Sequence, residues 1–173
     1  MGIYSRPEND GYMGSTRRFF LLKNIVDFRT VLDFGSGPCS LLRWFQSEGI
    51  SCSYEAYDLR EDSLEFFCPC KQHHQAPEGV YDLVCLLGVL SLVRGGDPEG
   101  SRNEFRSTLA QAASLSGRYL LVNFSYQDKY PRYIVPHMPD EARCMISDVG
   151  FEVLHHDEDR QMAENIFLCI RRP

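Results

Sequence analysis

The segment VLDFGSGPC, residues 31 to 39, brings together residue types whose spacing could do chemistry: Asp33, then Gly35, Ser36 and Gly37. An apolar run that ends on a carboxylate and two glycines makes a sharp turn, and the backbone there can pass close to a ligand because glycine adopts angles that side chains forbid. The helix that follows offers unpaired N–H groups, which favour anionic or polar ligand atoms. Two nucleotide-binding turns can be tested at once. No G-K-S/T follows, so the phosphate-binding P-loop is excluded. A dinucleotide turn, G-x-G-x-x-G, needs a third small residue; Ser40 stands there, and Asp33, two positions before the first glycine, is no part of that pattern. An NAD-binding oxidoreductase is therefore disfavoured.

Histidines, cysteines and tyrosines form the second group. Cys68, Cys70, His73 and His74 read C-P-C-x-x-H-H, dense in soft ligands, but the spacing fits no common structural zinc motif and a second ligand pair is missing. No metal is expected. His137 lies in the long loop SYQDKYPRYIVPHM and titrates near neutrality, which makes it a candidate general base, with plain solvation as the competing reading. Tyr12 and Tyr126 are the other weak catalytic candidates. Together with Arg17, Tyr130 and Tyr133 they belong to two aromatic, polar stretches, NDGYMGSTRRFF and SYQDKYPRY, that suit a lid over a small, flat or amphipathic substrate. A tyrosine-rich rim that only packs its own loop is the alternative. His155 and His156 fall on a late strand, where one is expected to face in and one out.

These residues need a scaffold, and the hydrophobic pattern supplies one. Residues 1–14 are polar and irregular, a lid or tail; Ser15 or Thr16 then caps a helix over RRFFLLKNIVDF. TVLDF is a strand, CSLLRWFQSEG a helix stopped by Gly49, SCSYEAYD a second strand and REDSLEFF a short helix. Two strand–helix units in succession imply right-handed crossovers and a parallel sheet. CPCKQHHQAPEG holds a short third strand, and YDLVCLL is a fourth whose continuous apolar character suits burial on both faces. SRNEFRSTLAQAASLS is helical, with Leu109, Ala112 and Ala113 on one side, and GRYLLVNF is a fifth strand. PDEARCMISDVG is a helix with Pro139 in its first turn, and two closing strands, FEVLHHDED and AENIFLCIRR, form an antiparallel pair.

Composition bounds the function. The 173 residues are 43% hydrophobic and 24% charged, with net charge -6, which suits one ordinary globular domain spanning 1–173. No apolar run approaches the roughly 18 residues of a membrane span. The acidic balance argues against gripping nucleic acid through the overall field, although Arg17, Arg18, Lys23, Arg29, Lys129 and Arg132 would make a modest basic rim if they converge. Seven cysteines, scattered in apolar stretches, suit reduced thiols and hence a cytoplasmic protein. The start MGIYSRPEND has no apolar signal core, and Arg6 breaks the myristoylation pattern.

VLDFGSGPC resembles motif I of the class I S-adenosylmethionine-dependent methyltransferases, V-L-D-x-G-x-G, and the order of elements resembles that family over nearly the whole chain. The resemblance implies a Rossmann-like α/β fold: a seven-stranded, mostly parallel sheet with helices on both faces and an antiparallel C-terminal hairpin. It implies S-adenosyl-L-methionine as cofactor. Asp58, 21 residues after Gly37, matches the acidic residue that accepts hydrogen bonds from the ribose hydroxyls, with Leu59 beside it. Asp33 is implied near the methionine moiety, and Gly35, Ser36 and Gly37 along the cofactor. Leu87 and Gly88 fall where the family places residues at the reacting methyl group. Cys39 departs from the pattern, since many members have a third glycine there. N-P-P-Y and D-P-P-Y are absent, and Leu21 occupies the place of the catalytic lysine of ribose 2'-O-methyltransferases. The implied reaction is methyl transfer to oxygen or nitrogen of a small molecule or RNA, with recognition supplied by the rim or by a protein partner. A catalytically inactive binding or scaffolding protein is the alternative.

Overall fold

Val31 and Leu32 in one strand, Leu83 to Leu86 in a second and Leu120 to Val122 in a third are all fully buried, so these strands must be covered on both faces. The computed structural model describes residues 17–25, 27–37, 39–59, 70–90, 97–126, 138–160 and 162–173. Its strands are β1 (Thr30–Phe34), β2 (Ser53–Tyr57), β3 (Lys71–His73), β4 (Tyr81–Leu86), β5 (Ser116–Ser125), β6 (Phe151–Asp159) and β7 (Glu164–Arg171). They form one seven-stranded sheet in the order β3-β2-β1-β4-β5-β7-β6. β1 to β5 pair in parallel, and β7 pairs antiparallel with both β5 and β6. The expected sheet and its closing hairpin are both present.

The helices are α1 (Arg17–Phe20) with a short 3-10 turn over Leu21–Asn24, α2 (Ser40–Ser47), α3 (Pro98–Leu115) and α4 (Pro139–Asp148). One face of the sheet packs Phe105 and Leu109 of α3 and Ala142, Met145 and Ile146 of α4 against Leu32, Val84, Leu120, Val122 and Phe167. The other packs Phe19, Leu22, Leu41, Trp44 and Phe45 against Val31, Leu83, Leu121 and Leu168. Each large apolar side chain removed from water contributes about 1.5–3 kcal/mol.

Three expectations change in detail. The helix predicted over residues 17–28 is one α turn and one 3-10 turn, because Asn24 turns its side-chain amide onto the carbonyl of Leu21 and the backbone is extended at Ile25. α3 begins earlier than its apolar pattern suggests, since Asp97 accepts from the Gly100 N–H at 2.7 Å and Pro98 fills the first helical position. His155 and His156 are both exposed, because a bulge between Val153 and His155 shifts the register of β6 against β7. The helix expected at REDSLEFF lies outside the described residues, as do Tyr12, Tyr130, Tyr133 and His137.

Candidate functional site

From β1 the chain moves outward to β2 and β3, then returns to place β4 on the other side of β1. That reversal opens a crevice at the carboxyl ends of β1 and β4, the place where open α/β sheets bind ligands. The turn after β1 and the loop after β4 meet there. Gly35 and Gly37 both have positive φ, +78° and +47°. A Cβ built on Gly35 would collide with Cγ2 of Val89, so the loop after β4 lies directly on the turn. Around Gly37 the corresponding position is open, with nothing among the described residues within 4 Å.

The turn is tied to the end of β2. The N–H groups of Gly35 and Ser36 both donate to the carbonyl of Tyr57, at 2.6 and 3.1 Å, and the Gly37 N–H donates to Oδ2 of Asp58 at 2.9 Å. Asp58 is buried, and Leu59 beside it is 76% exposed, an apolar side chain standing at the rim. Ser36 Oγ, between the two glycines, is buried and has no hydrogen-bond partner among the described residues. An orphaned hydroxyl, an open glycine face and a buried carboxylate therefore border one turn. That set fits a polar ligand with hydroxyl donors.

Asp33 points elsewhere. Tyr54, Ala56 and Asp58 alternate onto one face of β2, and register places Ala56 beside Asp33, so the Tyr54 hydroxyl reaches the Asp33 carboxylate and donates to it. Burial pushes the Asp33 carboxyl up to about 7, with Tyr54 pulling it down and the Asp58 charge pushing it up. Burial also raises Tyr54 and Cys85, each reinforced by the Asp33 charge.

On the β4 side, the Gly88 N–H donates to Oδ1 of Asn123 at 2.7 Å. Asn123 is a buried polar residue in the otherwise apolar run of β5. Leu87 is partly buried against the core face that holds α2. Arg18 of α1 makes a two-pronged ion pair with Glu164, through Nε at 2.7 Å and through Nη2, with side chains 14% and 6% exposed. Tyr126 follows β5; its N–H donates to the Ala163 carbonyl at 3.0 Å, and its hydroxyl, raised by burial, bonds Glu158.

No protein-family model and no curated protein matches the sequence. Solved structures do. The magnesium protoporphyrin IX methyltransferase of Synechocystis with bound SAM superposes with TM-score 0.68 at 20% identity, covering 95% of this chain and 80% of that one. A Burkholderia thailandensis 1,6-didemethyltoxoflavin-N1-methyltransferase, bound to 1,6-didemethyltoxoflavin and S-adenosylhomocysteine, gives 0.71 at 12% identity over 96% and 83% of the two chains. Human N-acetylserotonin methyltransferase in complex with SAM gives 0.66 at 14% identity over 96% of this chain and 54% of that one. This chain has the class I methyltransferase fold.

Within that methyltransferase fold, Gly35, Ser36, Gly37, Asp58, Leu59, Leu87 and Gly88 fall just beyond the carboxyl ends of β1, β2 and β4, and Asp33 is the next-to-last residue of β1. Tyr54, Asn123 and Glu164 join them without having been singled out from sequence. Tyr54 carried a signal, the alternation of SYEAYD, and Asn123 another, a lone amide in LLVNF. Glu164 carried none.

The cysteines correct an expectation. Cys39, at φ +53° at the head of α2, is disulfide-bonded, while Cys52, Cys70, Cys85, Cys144 and Cys169 are free. The inference from thiols to a reducing compartment therefore does not carry. Among the described residues no group of three or more His, Cys, Asp or Glu side chains could hold a metal ion, and no helix is long and apolar enough to cross a membrane. His73 bonds Glu55 at 2.7 Å, and Glu55 also accepts from Tyr81 at 2.6 Å.

Proposed function

We propose that this chain binds S-adenosylmethionine in the crevice between β1 and β4 and transfers its methyl group to an oxygen or nitrogen of a small molecule. The observation that carries the reading is the Gly35–Ser36–Gly37 turn tied to Asp58, with the orphaned Ser36 hydroxyl between the glycines. Asp58 would take the ribose hydroxyls, because a carboxylate accepts several hydrogen bonds at once. Ser36 Oγ would gain a partner, and the open face of Gly37 admits the nucleoside without a Cβ in its way. Leu59 would offer an apolar edge to the adenine. When bound, the cofactor supplies an electrophilic methyl group on a sulfonium; the protein's task is then mainly alignment of acceptor and methyl. Asn123 holds the Gly88 N–H and so fixes the loop along which that acceptor would lie.

Calorimetric titration with S-adenosylmethionine and S-adenosylhomocysteine tests the reading, followed by labelled-methyl transfer to cell extract separated into RNA, protein and small-molecule fractions. Binding of both cofactors with label in the small-molecule fraction is expected. Absence of binding by either removes the proposal, and label in RNA reassigns the acceptor. A second reading, a binding module without turnover, draws on Glu164: the buried carboxylate nearest the loop after β4 is committed to the Arg18 guanidinium. Cofactor binding without transfer to any fraction supports it.

A further inference from the structure

Cys39 stands at the head of α2 in the left-handed region, at φ +53° and ψ +44°. A side chain there costs on the order of 1 kcal/mol, and such a residue persists only where its surroundings fix it. Two features fix Cys39: it is fully buried in the apolar cluster that holds Leu41, Trp44 and Phe45, and its sulfur is in a disulfide. Its side chain makes no capping hydrogen bond to α2, so the disulfide, not a cap, ties down the head of the helix.

That tie reaches the turn through the backbone. The Cys39 N–H donates to the Ser36 carbonyl at 2.9 Å, the Cys39 carbonyl accepts from the Arg43 N–H at 3.3 Å, and the Gly37 N–H between them in sequence donates to Asp58. A shift of Cys39 therefore moves Ser36 and Gly37, the groups proposed to meet the cofactor. Other thiols share this face of the sheet: Cys85 lies in the same cluster, with Cys52 and Cys70 packed against it, and all three are free. Burial raises each of them, and the Asp33 charge adds to this at Cys70 and Cys85. A neutral thiol is a poor nucleophile, so these three do not exchange with the disulfide, and its state is set by a reductant from outside.

Resting on the cofactor reading above, we infer that the Cys39 disulfide holds the turn in its cofactor-binding form, so that the redox state of this bond sets the affinity for S-adenosylmethionine. The reductant is a dithiol. One of its thiolates attacks a sulfur of the disulfide and expels the other sulfur as thiolate; its second thiol then breaks the mixed disulfide. Two electrons and two protons pass to the protein, which gains two thiols, and the dithiol leaves as a disulfide. The effect is reciprocal: whatever factor the disulfide adds to cofactor affinity, bound cofactor adds to the resistance of the disulfide to reduction.

The test titrates S-adenosylhomocysteine calorimetrically into the oxidised chain and into the chain reduced with dithiothreitol. Reduction should weaken binding by about 10- to 100-fold. Saturating S-adenosylhomocysteine should also lower the midpoint of a dithiothreitol redox titration, read by alkylation and mass spectrometry of the Cys39 peptide, by about 30 mV for each tenfold. Cys39→Ser should bind as weakly as the reduced chain and ignore dithiothreitol. Cys39→Gly, which takes this φ without strain, should ignore it too, and serves where Cys39→Ser does not fold. Equal affinities in the two states, tighter binding by the reduced chain, or a response to dithiothreitol in either variant overturns the inference. So does alkylation of Cys39 in denaturant before any reductant is added. A wild-type chain that binds the nucleoside in neither state fails the cofactor reading itself, and the inference falls with it.

Discussion

The Gly37 N–H donates to the Asp58 carboxylate at 2.9 Å, joining the turn after β1 to the end of β2 across 21 residues of chain. One carboxylate therefore both shapes the turn and faces the crevice. Asp58→Ala removes the acceptor of the Gly37 N–H together with the proposed acceptor of the ribose hydroxyls. Hydrogen bonds to a charged group are worth about 1.5–3 kcal/mol each, so S-adenosylhomocysteine affinity should fall by about 10- to 100-fold or more, read by calorimetry. Asp58→Asn, which keeps one acceptor, should lose less. Equal affinities for wild type and Asp58→Ala would remove Asp58 from the site.

Gly35 and Gly37 should respond differently to alanine. Both have positive φ, where a Cβ costs on the order of 1 kcal/mol. Only at Gly35 does the added methyl meet Val89, adding about 1–3 kcal/mol of overpacking. Gly35→Ala should therefore lower stability in urea melts more than Gly37→Ala, and Val89→Ala in the same chain should recover part of the difference. Gly37→Ala should instead weaken cofactor binding while costing little stability, since its open face is where the nucleoside is proposed to lie. Similar melts for both single variants would show that Val89 does not press on the turn.

Much of this arrangement is legible in the sequence because it is local. The apolar runs of β1, β4 and β5 announce buried strands, Asp33 and the glycines mark the turn, and the spacing to Asp58 follows from one strand–helix–strand unit. The Asp33–Tyr54 contact is legible one step further, through period-two alternation, once β2 is known to lie beside β1 in register. The Arg18–Glu164 pair is not. Its partners are 146 residues apart, and their meeting depends on β7 inserting between β5 and β6, which opposes Glu164 to Ser125 at the crevice end of β5. The early end of the first helix is hidden for a different reason. Its apolar spacing suits a longer helix, yet the side-chain amide of Asn24 competes for the backbone.

Arg171, near the end of β7, fastens the junction between α3 and β5. Its Nη2 donates to the carbonyls of Ala113 at 2.6 Å and Ser116 at 2.5 Å, and its Nε donates to Ser116 at 2.8 Å. Ala113 lies in the last turn of α3 and Ser116 is its C-cap residue, whose N–H also donates to the Ala113 carbonyl, so the guanidinium reinforces the end of the helix. The guanidinium also lies over the Phe151 ring, 4.9 Å from its centroid. Arg171→Ala should destabilise the fold by about 2–3 kcal/mol, lowering Tm by roughly 4–12 °C. Arg171→Lys should recover only part of this, because one ammonium cannot reproduce the fork. Cofactor affinity below Tm should not change, as Arg171 is at the opposite end of the sheet from the crevice. A thermal melt that Arg171→Ala leaves unmoved would contradict the capping role.

The buried carboxyl of Asp33 gives stability a pH dependence whose sign can be worked out. In the folded chain its pKa is raised to about 7 from 3.8, first by burial and then by the Asp58 charge, with the Tyr54 hydroxyl opposing. Between those values the folded state holds a proton that the unfolded chain has released, so this group makes stability fall as pH rises from about 4 to about 7. Above that range the penalty is complete, on the order of 4 kcal/mol at most. Asp33→Asn is neutral throughout and can still accept from Tyr54, so it should match wild type near pH 4.5 and exceed it at pH 8. Urea melts of the two chains at intervals between these limits measure the difference directly. Tyr54→Phe removes the donor that favours the charged form and should move the wild-type fall to lower stability at pH 8 without moving the Asp33→Asn chain in the same way. Parallel stability curves for wild type and Asp33→Asn would show that Asp33 is ionised in the fold over the whole range.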